Sequence, residues 1–308
     1  MKIGDIIAGK KKAFPSLEIV PPLKGVSREE LMSSIRPFKE YEPPFINITC
    51  HREEYEFRRE KDGSYSRHTV KSRMSQTAVC AAIQAEFKSE VVPHVICGGA
   101  SADDIGRQLS DFSFLGIDNL MALRGDSLIG EKRFTPTPGG YSYASELVQA
   151  IRSYGKANGR DFCIGVGGYP EKHFEAPNLE ADILNLKKKV DAGADFIISQ
   201  MFFDNRSFYS FRDACRKAGI SVPIIPGIKP LSTLRQLTLL PEAFSIDIPQ
   251  ELVKEMNANA DNNGACYRIG TEWCLSQCRD LLANGVPAIH FYTMGKAANI
   301  IDIISKLF

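Results

Sequence analysis

Nothing in this chain is long and apolar enough to cross a bilayer: runs such as residues 222–228 fall far short of the roughly 20 residues a spanning helix needs. The opening MKIGDIIAGKKKAF lacks the order of a secretory leader, because Asp5 interrupts its short apolar run and the lysines follow that run instead of preceding it. A cytoplasmic protein is expected, with residues 3–8 forming a short outer helix. Charge of one sign is not in excess either. With 38 basic and 37 acidic residues the net charge is +1, which gives no reason to expect nucleic acid or an anionic membrane as partner. The eight cysteines include no CxxC pair, and several lie in apolar runs, so buried reduced thiols are expected. Cys274 and Cys278 share a helix face, but no histidine or further cysteine stands at ligand spacing, so no metal site is expected. No GxGxxG follows the first apolar run, which weighs against a doubly wound dinucleotide fold.

What the chain does have is alternation. Apolar runs rich in Ile, Val and Phe lie at residues 17–20, 45–49, 91–97, 119–123, 162–166, 196–201, 223–228 and 288–292, and read as strands buried on both faces. Amphipathic stretches separate them, at 27–39, 75–87, 101–115, 143–158, 179–192, 207–218, 232–240, 250–257, 267–283 and 296–307. The first opens S-R-E-E, with Ser27 as cap and Glu30 at the capping-box position. Several end in glycine before the next strand, as helix C-caps do. Eight such units without a composition break predict a single α/β domain over 1–308, a (β/α)8 TIM barrel of parallel strands. Two segments exceed plain connections. Residues 51–73 carry Asp62-Gly63 between alternating residues, a β-hairpin signal, and should form an insertion at the rim. Residues 127–142 form a long loop after the fourth strand.

Barrels of this kind keep their chemistry at the C-terminal ends of the strands. The polar residues there are Glu18, Thr49, His94, Arg124 with Asp126, Tyr169 with His173, Gln200 and Lys296. Taken singly, each has an ordinary alternative: an ion pair for Glu18, a satisfied core imidazole for His94, a local salt bridge between Arg124 and Asp126. Packing does not require strand after strand to deliver such a group to one rim. On the stretch 179–192, Asp182, Asn185 and Lys189 fall on one helix stripe.

The blocks LEIVPP, FINIT, VPH, LRGD, YASELV, YPEKHFEAP, LNLKKKVDAGADFIISQMFFD, PIIPGI and HFYTMGK occur in an order that resembles the methylenetetrahydrofolate reductases. The likeness covers nearly the whole chain, and YPEKHFEAP with the block after it is its most specific part. It implies the bacterial form, a catalytic barrel only. It also implies an FAD enzyme that takes hydride from NAD(P)H and passes it, in ping-pong order, to 5,10-methylenetetrahydrofolate. By this resemblance Glu18 is the general acid toward folate and Asp126 stands beside flavin and folate. Thr49, His94, Leu123, Arg124, Gly125, Tyr143, Ala144, Tyr169, His173 and Ala176 contact flavin. Asp182, Asn185, Lys188 and Lys189 meet its ribityl, ribose and pyrophosphate parts. Gln200, Gln236 and Lys296 hold substrate, and a homo-oligomer is expected. For Glu18 to be protonated when folate arrives, an apolar setting should raise its pKa.

The sequence departs from the family pattern in places. Leu17, Ile19 and Val20 change the wall around Glu18, Cys50 stands where tyrosine is usual, Leu240 replaces a phenylalanine and Lys296 an arginine. A lysine keeps the charge but loses the planar fork. Two other readings fit the same residues: another FAD barrel oxidoreductase of the proline-dehydrogenase kind, and a flavin-binding subunit without catalysis.

Overall fold

The computed structural model describes residues 1–52, 54–126, 134–295 and 297–308. Ten strands are found among the described residues: β1 (Phe14–Ile19), β2 (Phe45–Ile48), β3 (Glu54–Arg59), β4 (Tyr65–Lys71), β5 (Glu90–Ile96), β6 (Asn119–Leu123), β7 (Cys163–Gly168), β8 (Phe196–Met201), β9 (Ile224–Ile228) and β10 (Ala288–Tyr292). Eight of them close into a parallel barrel in the order β1-β10-β9-β8-β7-β6-β5-β2, the predicted (β/α)8 architecture. The other two, β3 and β4, pair antiparallel as a separate ribbon that follows β2. Its return leg is tied to the segment after β1, where Lys24 N–H donates to Ser72 O at 3.0 Å and Met74 N–H to Pro22 O at 2.8 Å.

Eleven α-helices are described: α1 (Ile3–Gly9), α2 (Arg28–Ile35), α3 (Gln76–Glu86), α4 (Ala102–Phe114), α5 (Ala144–Ala157), α6 (Leu179–Asp191), α7 (Asn205–Lys217), α8 (Gln236–Phe244), α9 (Gln250–Ala258), α10 (Asn263–Ala283) and α11 (Ala298–Ile304). None is long and apolar enough to cross a membrane. Ser27 caps α2 through its Oγ, as its position suggests, accepting from Glu30 N–H at 3.1 Å. The stretch 27–39 does not run as one helix. At Pro37, which has no N–H to donate, the chain tightens into a 3-10 segment over Arg36–Tyr41. Helix α8 starts later than the pattern at 232–240 suggests. The Gln236 carbonyl oxygen takes the N–H groups of Ser232 and Thr233, at 2.7 and 3.1 Å, which fixes the chain ahead of the helix as a loop.

Alternation along each strand sorts the residues into an outward set, packed under the helices, and an inward set that fills the barrel. The inward set is graded along the axis. At the N-terminal end Phe14, Phe45, Val92, Met121, Cys163, Phe196 and Ala288 form an apolar cluster, sealed from below by Ile3 and Ile6 of α1. One step further come Ser16, Asn47, His94 and His290, all buried. Glycines leave room for this filling. A Cβ on Gly165 would lie 2.4 Å from the Phe196 ring, and one on Gly227 only 2.5 Å from the Tyr292 ring. A third cluster, including Met201, Phe203, Leu240 and Leu252, gathers α8, α9 and α10 at the C-terminal end of β8.

Candidate active site

The inward face of β1 reads Phe14, Ser16, Glu18, so the alternation that buries Phe14 also aims the Glu18 carboxylate into the barrel. Its register partners are Asn47 on β2 and Tyr292 on β10. Glu18 Oε2 lies 3.6 Å from His94 Nε2 and 4.0 Å from His290 Nε2. His94 in turn stands 3.2 Å from Asn47 Nδ2, and His290 Nδ1 is 2.9 Å from Ser16 Oγ. His290 also stacks on Phe45 and meets Tyr292 edge-on. The Tyr292 hydroxyl donates to Ser199 O at 2.7 Å.

This setting corrects the expectation of a raised Glu18 pKa. Burial does push it up, but the His290 imidazole and the charge that His94, His290 and His51 can carry outweigh burial, and the pKa lies below the ordinary glutamate value. The sequence shows the apolar neighbours of Glu18 on its own strand and hides the histidines that face it from other strands. Burial drives His94 the other way, down to about 4 despite the pull of Glu18, with His290 and His51 adding to the fall. His94 is therefore a neutral imidazole at neutral pH, and Glu18 in the ligand-free chain is a carboxylate.

On the facing side of the mouth a second set converges. Arg124 does not pair with Asp126 as a local bridge; its Nη1 reaches Glu175 Oε2 at 2.6 Å, across from the segment after β7. Its guanidinium also lies 5.0 Å from the Phe134 ring centroid. Gly125 turns the chain after β6 with φ +82°, where any Cβ would be strained. Tyr169 and His173 meet edge-on at 4.8 Å. Asp182 Oδ2 accepts the His173 N–H at 2.9 Å. Lys189 Nζ donates to Gly167 O at 2.6 Å, beside the Tyr169 ring. Burial pulls Lys189 down to about 8, opposed by Asp182 and helped by Arg124. Burial also lifts Tyr169 to about 12 and, together with Arg124, lowers His173.

Not every expected residue joins these two sets. On α6, Asp182 and Lys189 turn toward the barrel, while Asn185 and Lys188 are exposed and bond to each other at 3.1 Å. Tyr143 is exposed at the start of α5 beside Ala144, where the Glu146 carboxylate accepts its backbone N–H at 3.3 Å. Ala176 is buried, and its N–H donates to His173 O at 2.9 Å. Leu123 closes β6, and Asp126 is exposed just beyond it. Gln200 bonds to the N–H of the next residue, and Gln236 spends its carbonyl on the loop before α8. Thr49 is buried with its Oγ1 unpartnered among the described residues. Lys296 and residues 127–133 of the long loop lie outside the described residues. Sequence reasoning passed over Asn47, Ser16, His290 and Glu175. His290 carried the same signal as His94, an imidazole inside an apolar strand.

Fold and site together define a (β/α)8 barrel with a buried acid–histidine centre at the C-terminal mouth and a cationic wall opposite it. Comparison with known proteins is specific on the family. The chain belongs to the methylenetetrahydrofolate reductases, whose family model matches residues 2–308. It is 33% identical over 282 residues to the 5,10-methylenetetrahydrofolate reductase of Escherichia coli K12, covering 92% of this chain and 86% of that one. It is 32% identical to methylenetetrahydrofolate reductase 1 of Schizosaccharomyces pombe, covering 100% of this chain and 48% of the relative. With methylenetetrahydrofolate reductase (NADH) 1 of Arabidopsis thaliana the identity is 33%, over 99% of this chain and 50% of the relative. The chain thus spans about half the length of these two eukaryotic relatives. Among solved structures, a Clostridium thermocellum protein described as binding two copies of 5-methyl-5,6,7,8-tetrahydrofolic acid shares the fold, with TM-score 0.67 at 14% identity over 98% of this chain and 99% of that one.

Proposed function

We propose that this chain reduces 5,10-methylenetetrahydrofolate to 5-methyltetrahydrofolate with NAD(P)H as the reductant, in two half-reactions joined by bound FAD. The observation that carries the reading is Glu18: a carboxylate inside the barrel mouth, flanked by two buried imidazoles, on a chain whose residues 2–308 match the reductase family. Relatives named as NADH and NADPH enzymes support a nicotinamide donor.

The residues at the mouth suit a flavin dinucleotide. Lys189 and Arg124 offer cationic N–H groups to a pyrophosphate. The buried Thr49 hydroxyl, unpartnered among the described residues, is a polar group that a ligand can satisfy. When bound, FAD carries hydride from nicotinamide to the folate carbon. The protein's part is to bind, orient and supply a proton. Glu18, loaded with a proton as the arriving folate displaces water, protonates the folate nitrogen as its bond to the bridging carbon breaks. The five-membered ring opens to an iminium, hydride adds at that carbon, and Glu18 is left as a carboxylate. Asp126, Gln200, Gln236 and Lys296 are the groups proposed to hold substrate, and the remaining mouth residues hold the flavin. The whole chain acts as one catalytic unit.

Stopped-flow absorbance tests this directly. Purified protein should show a flavin spectrum, bleach with NAD(P)H, and recover colour with methylenetetrahydrofolate. A folded protein that fails to take up FAD, or whose reduced flavin ignores folate, rules the reading out.

A further inference from the structure

We propose that Asn47 is a positioning residue that holds His94 neutral and protonated on Nδ1, so that His94 withholds an N–H from Glu18 and presents one to the ligand at the barrel mouth.

The argument is one of donors and acceptors. Asn47 is buried on β2 and is the register partner of Glu18. Its Nδ2 lies 3.2 Å from His94 Nε2. With the amide nitrogen on this side, Asn47 donates and Nε2 is the accepting nitrogen. A neutral imidazole has one N–H, which is then on Nδ1. The imidazolium form is excluded at neutral pH by burial. Among the described residues, the titratable groups that act on His94 are Glu18 from β1, His290 from β10 and His51 after β2.

Two consequences follow. Glu18 Oε2 lies 3.6 Å from the same Nε2. Asn47 Nδ2–H already fills the lone pair there, so His94 offers the Glu18 carboxylate no N–H to hold its charge. Asn47 therefore favours the acid form of Glu18, against the pull of the other imidazoles. Meanwhile the proton on Nδ1 makes that nitrogen the imidazole's one N–H donor. That donor suits a ligand that offers an acceptor atom at the mouth. The opposite amide orientation would place Oδ1 against Nε2 and move the imidazole proton there. That orientation is the alternative the tautomer measurement excludes.

The tautomer does not depend on the proposed function; its value to Glu18 chemistry rests on that reading. Nitrogen-15 NMR of the histidine side chains, on the protein as purified, reads the tautomer directly. The chain has 5 histidines, and His94→Gln assigns the one in question by difference. Between about pH 6 and 8 the His94 Nε2 should show the shift of an unprotonated nitrogen. A proton on Nε2 overturns the proposal. Asn47→Asp keeps the shape but only accepts. It should move the proton to Nε2 and raise the His94 pKa. The acid limb of flavin reoxidation by folate should then shift, and its rate should drop by about 10². Flavin reduction by NAD(P)H should stay within roughly tenfold. A folded variant with the original tautomer and pH profile also overturns it. If folate does not reoxidise the unmodified protein, the proposed function fails while the NMR result still decides the tautomer.

Discussion

Glu18 is the group on which the chemistry turns, and its surroundings set two demands against each other. Burial favours the neutral acid; the His290 and His94 imidazoles favour the anion, and in the ligand-free chain they prevail. A proton donor of this kind works only if ligand binding changes the balance. Glu18→Gln keeps the shape and removes the proton. Nicotinamide oxidation needs no proton from Glu18, so flavin reduction should survive within roughly tenfold. Folate-dependent reoxidation should fall by about 10²–10⁴, the usual contribution of general acid catalysis. Rapid-mixing rates for both steps on one preparation decide; equal losses would return Glu18 to a structural role. At this scale the sequence was readable in part. Glu18 and His94 stand out as polar residues in apolar strands. Asn47 and Ser16 do not, because their meaning lies in the strand next door, and register across a barrel is not written in local pattern.

Among elements, α6 shows how a helix divides its labour. A stripe at i, i+3, i+7 led from sequence to Asp182, Asn185 and Lys189, yet only its two ends turn inward, where Asp182 holds the His173 N–H and Lys189 reaches Gly167. Lys189 titrates at about 8 in the folded, ligand-free chain against an ordinary 10.5. Between those values the unfolded chain binds the extra proton, so ligand-free stability should rise with pH across that window. A pyrophosphate needs the charged form, so FAD affinity should fall as pH rises from about 8 upward. Lys189→Met should weaken FAD binding on the order of 10–100-fold, the worth of one charge-assisted hydrogen bond, and flatten that pH dependence. Flavin fluorescence titrations across pH measure both, and an unchanged affinity would make Lys189 a packing residue. Strands and most helices were legible because their burial pattern is local. Helix α8 was displaced from its predicted start by a side chain, Gln236, that takes over backbone N–H groups, and Pro37 broke a pattern that periodicity alone would carry on.

The molecule as a whole separates stability from chemistry along the barrel axis. At one end α1 closes an apolar plug: Ile3 is fully buried against the inward residues of the strands, and its N–H donates to Asn119 Oδ1 at 3.0 Å. At the other end the inward positions turn polar and converge on Glu18. The gradient has a physical reason. Side chains that fill the barrel must either pack or be satisfied by partners, and only near the mouth can a ligand complete what the protein leaves open. Damage to the plug should therefore cost folding free energy and leave the site intact. Ile3→Ala removes three carbons from a closed cavity and should destabilise the protein by about 2–5 kcal/mol, read from denaturant unfolding. In the folded fraction, the rates of flavin reduction and of folate-dependent reoxidation should match the unmodified protein, because no residue within reach of Glu18 has moved. A variant of near-native stability whose reoxidation rate falls with unchanged flavin content would show the opposite, that the plug holds the mouth in shape. The axial division would then be wrong, since the strands would transmit the loss of one methyl-lined contact through the Phe14–Ser16–Glu18 row to the carboxylate.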